Sequence, residues 1–232
     1  MKRYKKKQKI KSTARATVAV LSIVTVILLA AVAALVYKKN TAFVYEKALE
    51  KTAITTTEES IPLKSLSYYF LIEEESVNET ALTYDAENPK AYWGLYVNNS
   101  FVCDEARDTA VDYFLRDHLY YQLAMQEEMS LTQEEWDDIY LKTEDIMEGM
   151  TEKQKSLHMT EEDVEQALVE NQLADDYVLK EAKARDLEMT EEVLSAYFGI
   201  NSPFFKKLKE EKQVTVNEKL LENIKLGSLT IN

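Results

Sequence analysis

From Thr17 to Tyr37 the chain reads TVAVLSIVTVILLAAVAALVY, 21 residues without a charge. As a helix rising about 1.5 Å per residue, this run matches the hydrocarbon thickness of a bilayer, where a backbone must satisfy its own polar groups. It predicts a transmembrane helix over residues 16–38. The flanks set its direction. Residues 1–15 carry Lys2, Arg3, Lys5, Lys6, Lys7, Lys9, Lys11 and Arg15 with no acid, against Lys38 and Lys39 on the other side. Basic residues are retained in the cytoplasm, so the sequence predicts a short cytoplasmic tail and a translocated C-terminal domain in a single-pass protein of the cell membrane. A cleaved signal peptide is the alternative reading, since AAVAALVY offers small residues, but the apolar run exceeds the roughly 7–15 residues usual for that purpose.

Eight of the 28 basic residues lie in that tail, leaving 20 against 41 acids in the rest of the chain. Such an excess repels phosphates and anionic lipid headgroups, so the folded part is expected to bind no nucleic acid and to meet the membrane only through its N-terminal helix. Only four Gly and three Pro occur, whereas β-rich and α/β folds spend these residues on tight turns and phosphate loops. The expected fold is therefore mostly α. Cys103 is the only cysteine, which leaves packing rather than disulfides to hold the domain.

Residues 39–59 read as a juxtamembrane helix, over Ala42–Ala53, and a polar linker, TTTEES, with the extracytoplasmic helical domain at 60–232. Pro62 suits a first helical turn, and Leu63, Leu66, Phe70 and Val77 give the helix after it an apolar side. AENPKAYWGLYVNNS interrupts as an aromatic loop. Ser100 is positioned to cap the next helix, whose Cys103, Ala106, Ala110, Phe114, Tyr120, Tyr121 and Ala124 recur at helical intervals. A helix-start phrase then occurs three times: Leu131-Thr132-Gln133-Glu134-Glu135, Met159-Thr160-Glu161-Glu162-Asp163 and Met189-Thr190-Glu191-Glu192-Val193. In each, a threonine oxygen can accept from an unpaired backbone N–H while acids complement the positive end of the helix dipole. Trp136, Ile139, Tyr140, Ile146 and Met147 are expected to line the first of these helices, and Val164, Ala167, Leu168, Ala174, Val178 and Ala182 the second. Ser202-Pro203 opens another helix with Phe205 and Leu208 inward. Gln213–Asn217 reads as a strand, and LGSLTIN as a short C-terminal extended segment.

No phosphate loop, dinucleotide fingerprint or Cys/His metal spacing occurs, so no cofactor, metal or catalytic residue is expected. Cys103 and His118 sit 15 residues, about 22 Å, apart on one helix and cannot form a nucleophile–base pair. What remains is an aromatic surplus. Fourteen tyrosines are many for a helical domain. Core packing accounts for most of them; an adaptable groove for extended peptide is the functional alternative.

The order of elements resembles the SurA N-terminal-like peptide-binding domain of extracytoplasmic foldases of the SurA and PrsA type. The resemblance rests on Ile61-Pro62-Leu63-Lys64-Ser65-Leu66, on Ala106–Glu127, on Leu131–Glu135 and on Met159–Val164 running to Ala182, and covers about Ile61 to Arg185. It implies an irregular multi-helix domain that cradles unfolded or exported polypeptides, with Tyr69, Tyr92, Trp93, Tyr96, Phe114, Tyr121, Trp136 and Tyr140 as the peptide-binding residues. In that family a parvulin isomerase domain usually follows. Here too few residues separate Arg185 from Ser202-Pro203 to hold one, and Phe204–Leu208 through Val214–Asn217 looks like the family's closing helix and strand. The expectation is a membrane-anchored chaperone or holdase without isomerase activity. The alternative is an envelope scaffold or adaptor docking one folded partner.

Overall fold

A computed structural model describes residues 27, 28, 31, 32 and 43–231 of the 232. Among them no helix is long and apolar enough to cross a membrane. The cytoplasmic tail and nearly all of the expected membrane helix lie outside the described residues; the four residues of it that are described, Ile27, Leu28, Ala31 and Val32, are helical. Tyr45–Asn232 forms one compact unit and Met1–Val44 another.

The larger unit is mostly helical. Its elements are β1 (Thr52–Thr55), β2 (Ser60–Pro62), α1 (Ser67–Tyr84), α2 (Lys90–Trp93), β3 (Tyr96–Val97), β4 (Ser100–Phe101), α3 (Val102–Gln126), α4 (Gln133–Gly149), α5 (Glu161–Ala184), α6 (Glu191–Phe198), α7 (Pro203–Glu211), β5 (Thr215–Val216) and α8 (Glu218–Leu221). Helix α3 is the axis of the fold. It packs most extensively on α5 and next on α1, while α4 packs chiefly on α5. Ala106, Ala110, Phe114, Tyr120 and Ala124 are buried along α3 as their spacing predicts, while Cys103 and Tyr121 are half-buried; Val111, Leu115 and Leu119 fill the remaining arc. So wide a buried arc belongs to a helix with neighbours on several sides.

The threonine phrases open α4, α5 and α6 as expected. Thr132, Thr160 and Thr190 accept from the backbone N–H groups of Glu135, Asp163 and Val193. In the first two the acid also reaches back to the threonine N–H, at 2.6 Å from Glu135 and 2.9 Å from Asp163. Ser202 caps α7 with Pro203 in its first turn, and Phe205 and Leu208 are buried.

Four local expectations are corrected. In place of a juxtamembrane helix and a linker, residues 46–62 form a single 3-10 turn and an antiparallel hairpin, with β1 in the middle of a three-stranded sheet of order β2-β1-β5. Ile54 lies opposite Ile61 on one side and Val216 on the other. The β-branched Thr52, Ile54 and Thr55 favour a pleated backbone. Thr56 turns the chain by accepting from the N–H groups of both Glu58 and Glu59 at 3.1 Å. Ser100 does not cap α3: it is paired in β4, and the N-cap residue is Phe101, with no side-chain bond. The aromatic loop holds a second hairpin, its turn made by Asn98 and Asn99, both with positive φ, as a type I′ turn requires.

LGSLTIN is not a strand either. Its backbone donors are taken by one buried carboxylate, Glu74, which accepts from the N–H groups of Gly227, Leu229 and Thr230 and from the Thr230 hydroxyl. Burial pushes the Glu74 pKa up, and the four donors oppose that rise. A carboxylate so enclosed joins the end of the chain to the middle of α1.

Candidate functional site

The eight residues expected to form a peptide groove do not line one groove. Tyr69 and Phe114 are core residues that meet edge to face at 5.4 Å. The Tyr69 hydroxyl donates to Asp117 at 3.0 Å, and burial, reinforced by that carboxylate, raises its pKa well above the ordinary value. Both line a small cavity of about 70 Å³ with Tyr68, Met159 and Glu170. Trp93 is buried beneath Gly227. Tyr92 is half-buried against Tyr84 at 5.5 Å, and Tyr96 stands out on the second hairpin with Phe101 at 5.1 Å. Tyr121 is half-buried on α3. Trp136 and Tyr140 stack at 5.8 Å on α4, where Tyr140 faces out rather than lining the helix's inner side as its spacing predicts.

A larger cleft lies elsewhere among the described residues, between α3, α5 and α6. It encloses about 470 Å³, within the size range of ligand sites. Its apolar walls are Tyr113 from α3, Val178 and Leu179 from α5, and Leu194 and Ile200 from α6 and the turn after it. Tyr113 and Leu179 remain 44% and 37% exposed, so the walls are accessible rather than packed shut. Polar groups sit among them. Arg116 bonds Asp117 at 2.5 Å and Asp175 at 2.7 Å, and its guanidinium lies 5.6 Å from the centre of the Tyr120 ring. Asp117 also accepts from Asn171 at 2.9 Å. Its pKa is pushed up by burial against the pull of Arg116. Arg116 thus reaches the cleft with its charge already matched by two acids. Glu191 and Ser195 complete its polar lining, and the cleft offers apolar walls with a fixed dipole, a combination suited to binding.

Periodicity could not find these walls. It marks the buried stripe of each helix, and Tyr113 and Leu179 are the apolar residues that flank those stripes. The available signal was Leu179 directly after the core residue Val178: an apolar pair broader than one buried line requires.

A buried polar bridge lies deeper. His118 on α3 meets Glu170 of α5 through Nδ1 at 2.8 Å and Glu59 of the β1–β2 turn through Nε2 at 2.9 Å, and stacks on Phe114 at 5.3 Å. Burial works against the charged imidazole, but the hydrogen bonds and charges of Glu170 and Glu59 prevail, and its pKa is raised above 6.5. The imidazolium ties the hairpin to both central helices. No protein-family model, curated protein or solved structure matches the chain.

Proposed function

We propose that the chain is a membrane-tethered extracytoplasmic holdase, which binds unfolded or exported polypeptides in the cleft between α3, α5 and α6 and has no isomerase activity. The observation that carries this reading is the exposure of Tyr113 and Leu179 on the walls of a cleft of about 470 Å³, in a domain whose core is filled elsewhere. A cleft with apolar walls whose Arg116 and Asp175 are already paired with each other accepts varied side chains, because it leaves no buried charge unpaired when the ligand changes. The SurA-like order of elements supports it, as do the basic tail and apolar run ahead of the domain. Isomerase activity is left out of this reading because the stretch between Arg185 and Ser202, which holds α6, is short for a further folded domain.

Light scattering of a reduced, unfolded secreted protein tests the binding step. Equimolar residues 43–232 should suppress aggregation, and Tyr113→Ser with Leu179→Ser should abolish the effect while leaving the helical circular dichroism intact. No suppression by the unaltered protein would refute the proposal. A reporter fused after Asn232 and active only in the cytoplasm would refute its location. The alternative, an envelope adaptor for one folded partner, draws support from the exposed aromatic face of α4. Crosslinking in intact cells separates the two: many weakly captured species for a holdase, one dominant species for an adaptor.

A further inference from the structure

Helix α4 has one face in the core and another that nothing in the described residues covers. Its inner face places Ile139 against Val164 and Leu168 of α5, with Tyr68, Ile146 and Met147 around them. The outer face carries the stacked Trp136–Tyr140 pair, with Tyr140 54% exposed; Leu141, 61% exposed, lies about a quarter-turn further round the helix. One turn beyond Leu141, Asp145 stands on the rim of a groove of about 250 Å³ between α4 and α1, lined by Leu71, Ile72 and Met150.

The charge around it is one-sided. Glu134, Glu135, Asp137, Asp138, Glu144, Asp145 and Glu148 face the single cation Lys142 in a helix of 17 residues. Among the described residues none of these seven carboxylates forms an ion pair, whereas acids of α3 and α5 are paired repeatedly, as in Arg116–Asp175, Lys209–Asp112 and Arg185–Glu181. Unpaired like charges at i,i+3 and i,i+4 cost a helix stability, and a cationic partner would relieve that cost. The same charges bar three other occupants. A second copy would set acid against acid, and nucleic acid and an anionic bilayer are repelled in the same way.

We propose that the outer face of α4 docks a lysine- or arginine-rich amphipathic helix of another polypeptide, its apolar side on the Trp136–Tyr140 pair, its cations against Asp137, Glu144 and the acids beyond them, and its margin on Leu141. Helix-in-groove recognition requires these two parts: an apolar strip that buries area, and a charged border that fixes the register and steers the encounter. The site is separate from the α3–α5–α6 cleft and does not depend on it.

The test holds the full chain in phosphatidylcholine nanodiscs and titrates it into a fluorescent 14-residue amphipathic leucine–lysine helix, reading anisotropy. The discs are common to every variant, so peptide taken up by lipid drops out of the comparison. Tyr140→Ser with Leu141→Ser, both exposed positions, should weaken binding at least ten-fold, as should Asp137→Lys with Glu144→Lys. Raising salt should weaken the unaltered chain more than the charge-reversed one. Two control probes complete the experiment: the same helix with glutamate for lysine, and a peptide of residues 1–15, cationic but without an apolar side. Both should bind at least ten-fold more weakly. Equal affinity for either control overturns the proposal, as does unchanged affinity in the Tyr140/Leu141 variant. Loss of binding on Tyr113→Ser with Leu179→Ser, with the α4 variants unaffected, would move the peptide to the cleft and overturn it too.

Discussion

Gly227 lies against the indole of Trp93 so closely that a β-carbon at position 227 would come within 2.2 Å of a ring carbon, and its φ of +81° is one that side chains disfavour. The same residue's N–H is held by Glu74. Replacing Gly227 by alanine therefore meets two costs, the left-handed backbone and the displaced indole, and should destabilise the domain by about 2–4 kcal/mol. The urea midpoint should fall. Limited proteolysis should cut residues 222–231 before the helices, because the lost contact is the one that fastens this segment to α1.

Stability should also depend on pH through His118. Its folded pKa is raised, so its contribution is fully present below the unfolded imidazole's value of 6.5 and is lost as pH rises through the folded value. The groups that face it are Glu59 from the β1–β2 turn and Glu170 from α5, with the neutral Gln122 on its own helix. Urea midpoints should decline from pH 6 to pH 9 in the native chain. His118→Gln should flatten that decline, and His118→Ala should cost about 3 kcal/mol at pH 6 by leaving Glu170 buried without its cation. An equal decline in the native and His118→Gln proteins would place the pH dependence elsewhere.

What the sequence made legible was local. Thr132, Thr160, Thr190 and Ser202 announced their helices because a cap bond spans three residues and needs no distant partner. The buried stripe of α5 was legible for the same reason, since Val164 to Ala182 repeats within one helix. The strand β1 was not. Its neighbours are β2, a few residues on, and β5, about 160 residues away, and a strand of four residues offers too few alternations to set against a helical pattern. Glu74 shows the same limit more sharply: within Glu73-Glu74-Glu75 nothing marks the middle acid as the one that four donors near the end of the chain will enclose. Of the cleft, the stripe residue Val178 was legible, but not the exposed walls, whose position follows from how α3, α5 and α6 cross.

The capping phrases differ in a way that ranks their mutants. Thr132 and Thr160 take part in reciprocal boxes, whereas Thr190 accepts from Val193, whose side chain can return no bond. Replacement by alanine should cost about 1 kcal/mol at each cap, with the two boxes at the upper end of the roughly 0.5–2 kcal/mol range and Thr190 at the lower. Chemical denaturation of the three single mutants measures the order. A cost at Thr190→Ala equal to the other two would show that the returning acid contributes nothing.

Gly199 connects backbone geometry to the cleft. Its N–H donates to the Ser195 carbonyl at 2.9 Å, closing the last turn of α6, and a β-carbon there would lie 2.5 Å from that same oxygen. Its φ of −70° is ordinary, so the constraint is the close approach and not the backbone conformation. In Gly199→Ala the end of α6 must move outward, carrying with it Leu194 and Ile200, two of the cleft's apolar walls. The stability cost should be about 1–3 kcal/mol, as for other overpacked sites. Suppression of aggregation should fall further than that loss of stability accounts for, at temperatures where the variant is still folded. Binding unchanged in a folded Gly199→Ala protein would show that clients are held somewhere other than between α3, α5 and α6.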